Sequence, residues 1–182
     1  MLPSYNGITS TGLRKKIVVD LGCGNRKEEE HFFGVDIRKC PGVDVIADLD
    51  NNFPFKNNSI DEFHATESLE HLKDPIHVMN EIYRCLRPYG LLHFEVPSTS
   101  GPGAFQDPTH KSFWNENSFW YYTDSCRHFY PDLIKCRFGE VDINVRTAVK
   151  YPIRGIVYVH GTLKKLPLEE EDERVSNEAC GA

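Results

Sequence analysis

Lys16-Ile17-Val18-Val19-Asp20-Leu21-Gly22-Cys23-Gly24-Asn25 is the stretch that decides the fold. Its apolar, β-branched run passes directly into a turn whose glycines stand two positions apart. Such a run reads as a buried parallel strand. Glycine lets the chain turn tightly there and lets a ligand approach the main chain. An acid, Asp20, sits near the end of the strand. Sixteen residues later, Gly34-Val35-Asp36-Ile37 forms a second short apolar strand ending in an acid. In a doubly wound sheet an acid at that place accepts hydrogen bonds from ribose hydroxyls. The two strand ends together describe a nucleoside-binding site.

The kind of nucleoside depends on a glycine that is missing. A dinucleotide fingerprint continues G-x-G-x-x-G, but the third glycine position holds Lys27. The chain also has no G-x-x-x-x-G-K-[ST] phosphate loop. The segment Asp20-Leu21-Gly22-Cys23-Gly24-Asn25 instead resembles the first motif of class I S-adenosylmethionine-dependent methyltransferases, of the type 11-like kind. Further segments extend the resemblance in the family's order: Ala47-Asp48-Leu49, Asn57 to Ala65, Ser68-Leu69-Glu70-His71-Leu72 with Asp74-Pro75, and Leu86-Arg87-Pro88-Tyr89-Gly90-Leu91-Leu92. The match runs from about residue 16 to residue 97.

The resemblance implies a Rossmann-like, doubly wound α/β fold: a mostly parallel seven-stranded sheet with an antiparallel last strand pair. It implies S-adenosyl-L-methionine as cofactor and S-adenosyl-L-homocysteine as product. It also implies roles for residues. Gly22, Cys23 and Gly24 would form the turn beside methionine and ribose. Asp20 would hold the ammonium group through water. Asp36 would take the ribose hydroxyls, with Ile37 packed on adenine. Asp48 would accept from the adenine amino group, with Leu49 beside it, and Glu67 would lie where the cofactor's amine is met. The loop after strand four, Ala65-Thr66-Glu67-Ser68, lacks the Asn/Asp-Pro-Pro-aromatic signature of DNA amino-methylation.

Composition is that of a soluble globular protein. The 182 residues are 40% hydrophobic and 26% charged, enough for one domain with a full core. A net charge of −6 argues against a phosphate-backbone partner. No apolar run approaches the ~20 residues needed to span a bilayer, and the first sixteen residues hold no signal-type hydrophobic stretch. The six cysteines are scattered without a C-x-x-C pair, which predicts reduced thiols, a cytoplasmic setting and no metal cluster.

Along the chain, residues 1–15 read as an arm, 16–167 as the methyltransferase domain and 168–182 as an acidic, solvated tail. Strands are expected at 16–21, 32–37, 43–48, 60–65, 91–96, 137–147 and 153–163. Only a turn or two of helix fits between the first two strands. The clearest helix starts at the cap Asp74 with Pro75 in its first position and runs toward Gly90. Alternating strands and helices predict right-handed crossovers.

Residues 98–135 break that rhythm. They hold both tryptophans, Trp114 and Trp120, among many other aromatics. The segment leaves the carboxyl end of strand five, where ligands of open α/β sheets bind. It is expected to wall the acceptor site, to form a second core over the sheet, or both. Asn115 to Ser118 reads as a helix start, with Phe119, Tyr122 and Cys126 facing inward. The polar run Asp107-Pro108-Thr109-His110-Lys111 supplies two candidate bases, His110 and Asp107, and His71 at the mouth of strand four is a third. Histidine titrates near neutral pH, which suits proton transfer from an acceptor. The expected reaction is methyl transfer to a small-molecule acceptor. The competing readings are a non-catalytic scaffold module that binds the cofactor or only keeps the fold and, disfavoured by the missing glycine, a nicotinamide enzyme.

Overall fold

The computed structural model describes residues 14–147 and 155–168. Most of the expected arm and of the acidic tail lie outside the described residues. Seven strands form one sheet: β1 (Val18–Leu21), β2 (Phe33–Asp36), β3 (Val45–Ile46), β4 (Ile60–Thr66), β5 (Leu86–Pro97), β6 (Phe138–Thr147) and β7 (Val157–Lys165). Their order is β3-β2-β1-β4-β5-β7-β6. The first five pair in parallel, whereas β7 runs antiparallel to both β5 and β6. The expected mostly parallel sheet with an antiparallel final pair is therefore the observed one. The order reverses between β1 and β4, and such a switch point opens a crevice at the strands' carboxyl ends.

One long helix, α1 (Pro75–Cys85), crosses between β4 and β5. Asp74 caps it, accepting from the N–H groups of Ile76 and His77 at 3.1 and 3.0 Å. Its buried stripe of Val78, Met79 and Ile82 covers one face of the sheet, where Phe63, Leu92 and Phe94 are also buried. The helix stops at Cys85 instead of reaching Gly90. The next residues explain it: a residue before proline disfavours helical backbone, so Arg87-Pro88 forces extended chain. Strand β5 therefore begins at Leu86, five positions before the expected 91, and its register with β4 shifts between Ile60 and Glu62.

The connection from β1 to β2 contains no helix at all, where a turn or two was expected. It is a series of turns held by Asp20, which accepts from the Glu28 N–H at 2.7 Å. Gly34 sets how closely it packs: a Cβ there would lie 2.1 Å from the Gly42 carbonyl oxygen. This connection lays Phe32 against His64, ring centroids 4.7 Å apart, on the face of β4 opposite α1.

The segment between β5 and β6 forms two short helices, α2 (Gly103–Gln106) and α3 (Glu116–Trp120). Asn115 caps α3 with a reciprocal bond to Ser118. Phe119 stacks between Phe94 of β5 and Trp114, centroids 3.8 and 4.9 Å away. These rings and Tyr122 do not form the separate second core expected; they join the one hydrophobic core of the sheet and α1. Phe119 and Tyr122 face inward as expected; Cys126 is only half-buried. Phe105, Phe113, Trp120 and Tyr121 stay exposed, leaving apolar surface for a wall.

Candidate active site

A cavity of about 500 Å³ opens at the carboxyl ends of β1, β2 and β4. Its floor is the turn after β1. Gly22 holds a left-handed φ of 69°, and its N–H donates to the Val35 carbonyl at 2.8 Å. A Cβ on Gly22 would lie 2.6 Å from Cβ of Ser68, so any larger residue would close the crevice. Asp36 ends β2. Its carboxylate accepts from the Gly24 N–H at 3.0 Å and from the Arg38 N–H at 2.8 Å and Nε at 3.2 Å. Burial pushes this group up, but those bonds outweigh it and hold the carboxyl below its ordinary value.

Ile37, Asp48, Leu49 and Glu67 also line the cavity. Asp48 is kept in place by the Asp50 N–H and Asn51 Nδ2, both at 3.0 Å. Glu67 holds a positive φ of 50° and accepts from the Tyr158 hydroxyl at 2.6 Å. Six of the nine cofactor candidates thus share one wall: Gly22, Asp36, Ile37, Asp48, Leu49 and Glu67. Asp20, Cys23 and Gly24 lie behind it. Asp20 is buried and spent on the Glu28 N–H, and burial raises its carboxyl. Cys23 is buried against the Gly42 carbonyl, and burial pushes its thiol up to about 12, so it packs and does not react. Gly24 serves by giving its N–H to Asp36.

The catalytic candidates meet at the rim. His71 ends a single 3₁₀ turn, Leu69–His71, and lines the cavity with Thr109 and Lys111. Its ring lies 5.0 Å from that of His110. The two histidines come from segments far apart in sequence, joined because the Lys111 and Ser112 N–H groups donate to the Glu70 carbonyl at 2.7 and 3.0 Å. Asp107 is turned to Thr109, accepting from its N–H at 2.7 Å and its Oγ1 at 2.6 Å. It builds the turn that presents His110.

Sequence reasoning missed Glu70. Its residue is 2% exposed, and its Oε2 is buried without a hydrogen-bond partner. Burial, with Glu67, Asp107 and Glu95 nearby, pushes its carboxyl up to about 8. The available signal was an acid inside the apolar pair Leu69 and Leu72, directly before His71. It also missed the cations Arg38, Lys73 and Lys111, which line the cavity among its acids.

A parallel sheet with this order, an acid ending its second strand and a glycine turn at the switch point define a class I S-adenosylmethionine-dependent methyltransferase domain. The chain belongs to a methyltransferase-domain family, whose model matches residues 8–136, and S-adenosylmethionine is its cofactor. No curated protein matches the chain. Solved structures share the fold at low identity. A methyltransferase from Thermotoga maritima is 19% identical with a TM-score of 0.61, covering 85% of this chain and 84% of its own. One from Methanosarcina mazei is 15% identical with a TM-score of 0.60, covering 86% and 95%. Phosphoethanolamine N-methyltransferase 2 of Haemonchus contortus, solved with S-adenosylmethionine, is 13% identical with a TM-score of 0.55, covering 84% of this chain and 49% of its own. Among the described residues no helix is long and apolar enough to cross a membrane.

Proposed function

We propose that the chain is an active methyltransferase that moves the sulfonium methyl of S-adenosylmethionine to a small-molecule acceptor by in-line displacement. The observation that carries this reading is the contact between two constellations. The cavity lined by Asp36, Asp48 and Gly22 shares its rim with the His71–His110 pair. Asp36 takes the ribose hydroxyls, Ile37 and Leu49 flank the adenine, and Asp48 reads its amino group. Glu67 stands at the methionine end. The acceptor approaches from the exposed aromatic surface of residues 98–135.

The sulfonium already activates the methyl group. Alignment of an acceptor can supply roughly 7–11 kcal/mol of the barrier, so the protein needs little covalent chemistry. A base is needed only for a protonated acceptor. His71 and His110 stand where such a proton would leave, and Asp107 acts through Thr109 as a positioning residue. His110→Ala then lowers turnover and leaves cofactor affinity intact.

A second reading, a cofactor-binding scaffold, draws on the helix-free connection between β1 and β2, which covers the methionine end with turns alone. Calorimetry separates the readings. Binding of S-adenosylmethionine and S-adenosylhomocysteine with none of NAD supports the site and justifies an acceptor screen. Binding with no turnover across that screen supports the scaffold. No binding of either compound overturns the site.

A further inference from the structure

We infer that Glu70, His71 and His110 form a binding site for one divalent transition-metal ion at the rim of the cofactor cavity. These three groups each bring one ligand atom within 4.8 Å of the others. The protonation pattern follows from their neighbours. His110 Nδ1 lies 2.8 Å from the Ala104 carbonyl. A carbonyl only accepts, so Nδ1 carries the proton and Nε2 the lone pair. His71 Nδ1 lies 3.3 Å from the Thr109 carbonyl and 3.1 Å from Thr109 Oγ1. That hydroxyl's proton is committed to Asp107, 2.6 Å away. His71 Nδ1 is therefore the donor as well, and its Nε2 also keeps a lone pair.

The result is a buried carboxyl grouped with two histidines whose Nδ1–H groups are both turned to backbone carbonyls. Glu70 Oε2 is buried with no hydrogen-bond partner, which is costly unless something positive satisfies it. Metal-ligating histidines characteristically give their second ring N–H to a carbonyl or similar acceptor, and both histidines do so here. Two imidazoles and one carboxylate suit zinc, manganese, cobalt or iron(II), and they leave coordination positions open. A tetrahedral ion with bonds of about 2.1 Å needs donors about 3.4 Å apart, which small side-chain rotations supply. Asp107-Pro108-Thr109-His110 thus has a single purpose: the aspartate fixes the threonine, the threonine fixes His71, and the turn delivers His110. The ion's use, holding an acceptor oxygen beside the methyl group, rests on the methyl-transfer reading; the ligand set stands without it.

A second trio, Glu62, His64 and His93, has similar spacing, but its carboxylate is satisfied without an ion. Glu62 pairs with Lys16, whereas Glu70 Oε2 has no partner. It serves as the internal control.

Metal-stripped protein is titrated with Co²⁺, read by its visible d–d absorption and by calorimetry, with S-adenosylhomocysteine titrated separately into the metal-free protein. The expected result is one Co²⁺ per chain, with affinity falling at least about tenfold in Glu70→Gln and His110→Ala and unchanged in His93→Ala. Glu70→Gln keeps side-chain volume, and each variant's Tm is recorded, so a lost fold is not read as a lost ligand. Wild-type protein that takes up no Co²⁺, or affinity that is indifferent to Glu70→Gln and His110→Ala, overturns the site. So does a loss confined to His93→Ala. S-adenosylhomocysteine binding without Co²⁺ binding defeats this inference alone, and the reverse defeats the methyl-transfer reading alone.

Discussion

Asp36 shows how a single residue carries the recognition of a nucleoside. Its carboxylate is held by the Gly24 N–H and by Arg38, so it presents a fixed charged acceptor at the cavity wall. Asp36→Ala should weaken S-adenosylhomocysteine by roughly 2–3 kcal/mol, the worth of hydrogen bonds to a charged group. Calorimetry reads this directly, and an unchanged Kd would assign the ribose to another strand end. The acid was legible in the sequence because a short apolar strand ending in Asp has one place to stand in a doubly wound sheet. Glu70 was not. Which way one 3₁₀ turn faces depends on Lys111 and Ser112, far along the chain, docking onto the Glu70 carbonyl, and no local pattern encodes that. Glu70 also allows a stability test. Burial holds the proton on this carboxyl up to about pH 8, whereas the unfolded chain releases it near about 4.3, so Glu70→Gln should raise the Tm of metal-free protein at neutral pH. A gain of about 1 kcal/mol corresponds to roughly 2–4 °C for a domain of this size. A lower Tm in calorimetric scans would mean that the carboxylate is already satisfied.

Among the elements, α1 and the β1–β2 connection mark what local rules reach. The start of α1 follows from Asp74-Pro75, and its cap makes both bonds expected of it. Asp74→Ala should therefore cost about 1 kcal/mol, seen as a fall of roughly 2–4 °C in Tm with cofactor affinity unaltered. A Tm equal to wild type would mean that Pro75 and the buried stripe hold the first turn without the cap. The end of α1 was misplaced because Gly90 is a strong stop signal, yet the weaker signal of Arg87-Pro88 comes first. The β1–β2 connection was read as holding a turn or two of helix because the family's grammar puts one there. In this chain Asp20 captures the Glu28 N–H and Gly34 lets the returning chain pack directly on Gly42. Both are tertiary choices. The strands, by contrast, were all legible in kind and order, and β1, β2, β4 and β6 nearly in their bounds, since buried β-branched runs bounded by glycine and proline admit little else. Strand β3 is shorter than expected, β5 starts five residues earlier and β7 four residues later.

At the scale of the whole molecule, buried carboxylates tie together segments that the sheet alone leaves apart. Asp61 joins Arg14 and the Ile17 N–H to the start of β4. Burial pushes this carboxyl up, but the bond from Arg14 and the Ile17 N–H outweigh it, leaving it lowered. Glu81 of α1 is lowered chiefly by Arg84, against burial, with help from the Phe53 N–H, so the helix holds the β3–β4 connection. Asp36 is lowered as well. A carboxyl whose folded value is depressed stabilises the fold above its unfolded value, about 3.9 for Asp and 4.3 for Glu. That contribution disappears as pH falls through the folded value, because the unfolded chain takes up its protons first. Asp20 and Glu70 work in the opposite sense, since burial raises both, and their cost shrinks as pH falls toward their unfolded values. Stability should therefore rise as pH falls from about 8 toward about 5, and fall as pH drops below about 4.5, where the depressed carboxyls, Asp44, Asp107 and Asp124 among them, take up their protons. Asp61→Asn should flatten that fall, because one linked proton is removed. Thermal melts between about pH 8 and pH 3 check both statements. A Tm that holds or climbs below about pH 4.5 would show that the raised carboxyls, not the paired ones, govern the molecule's response to acid.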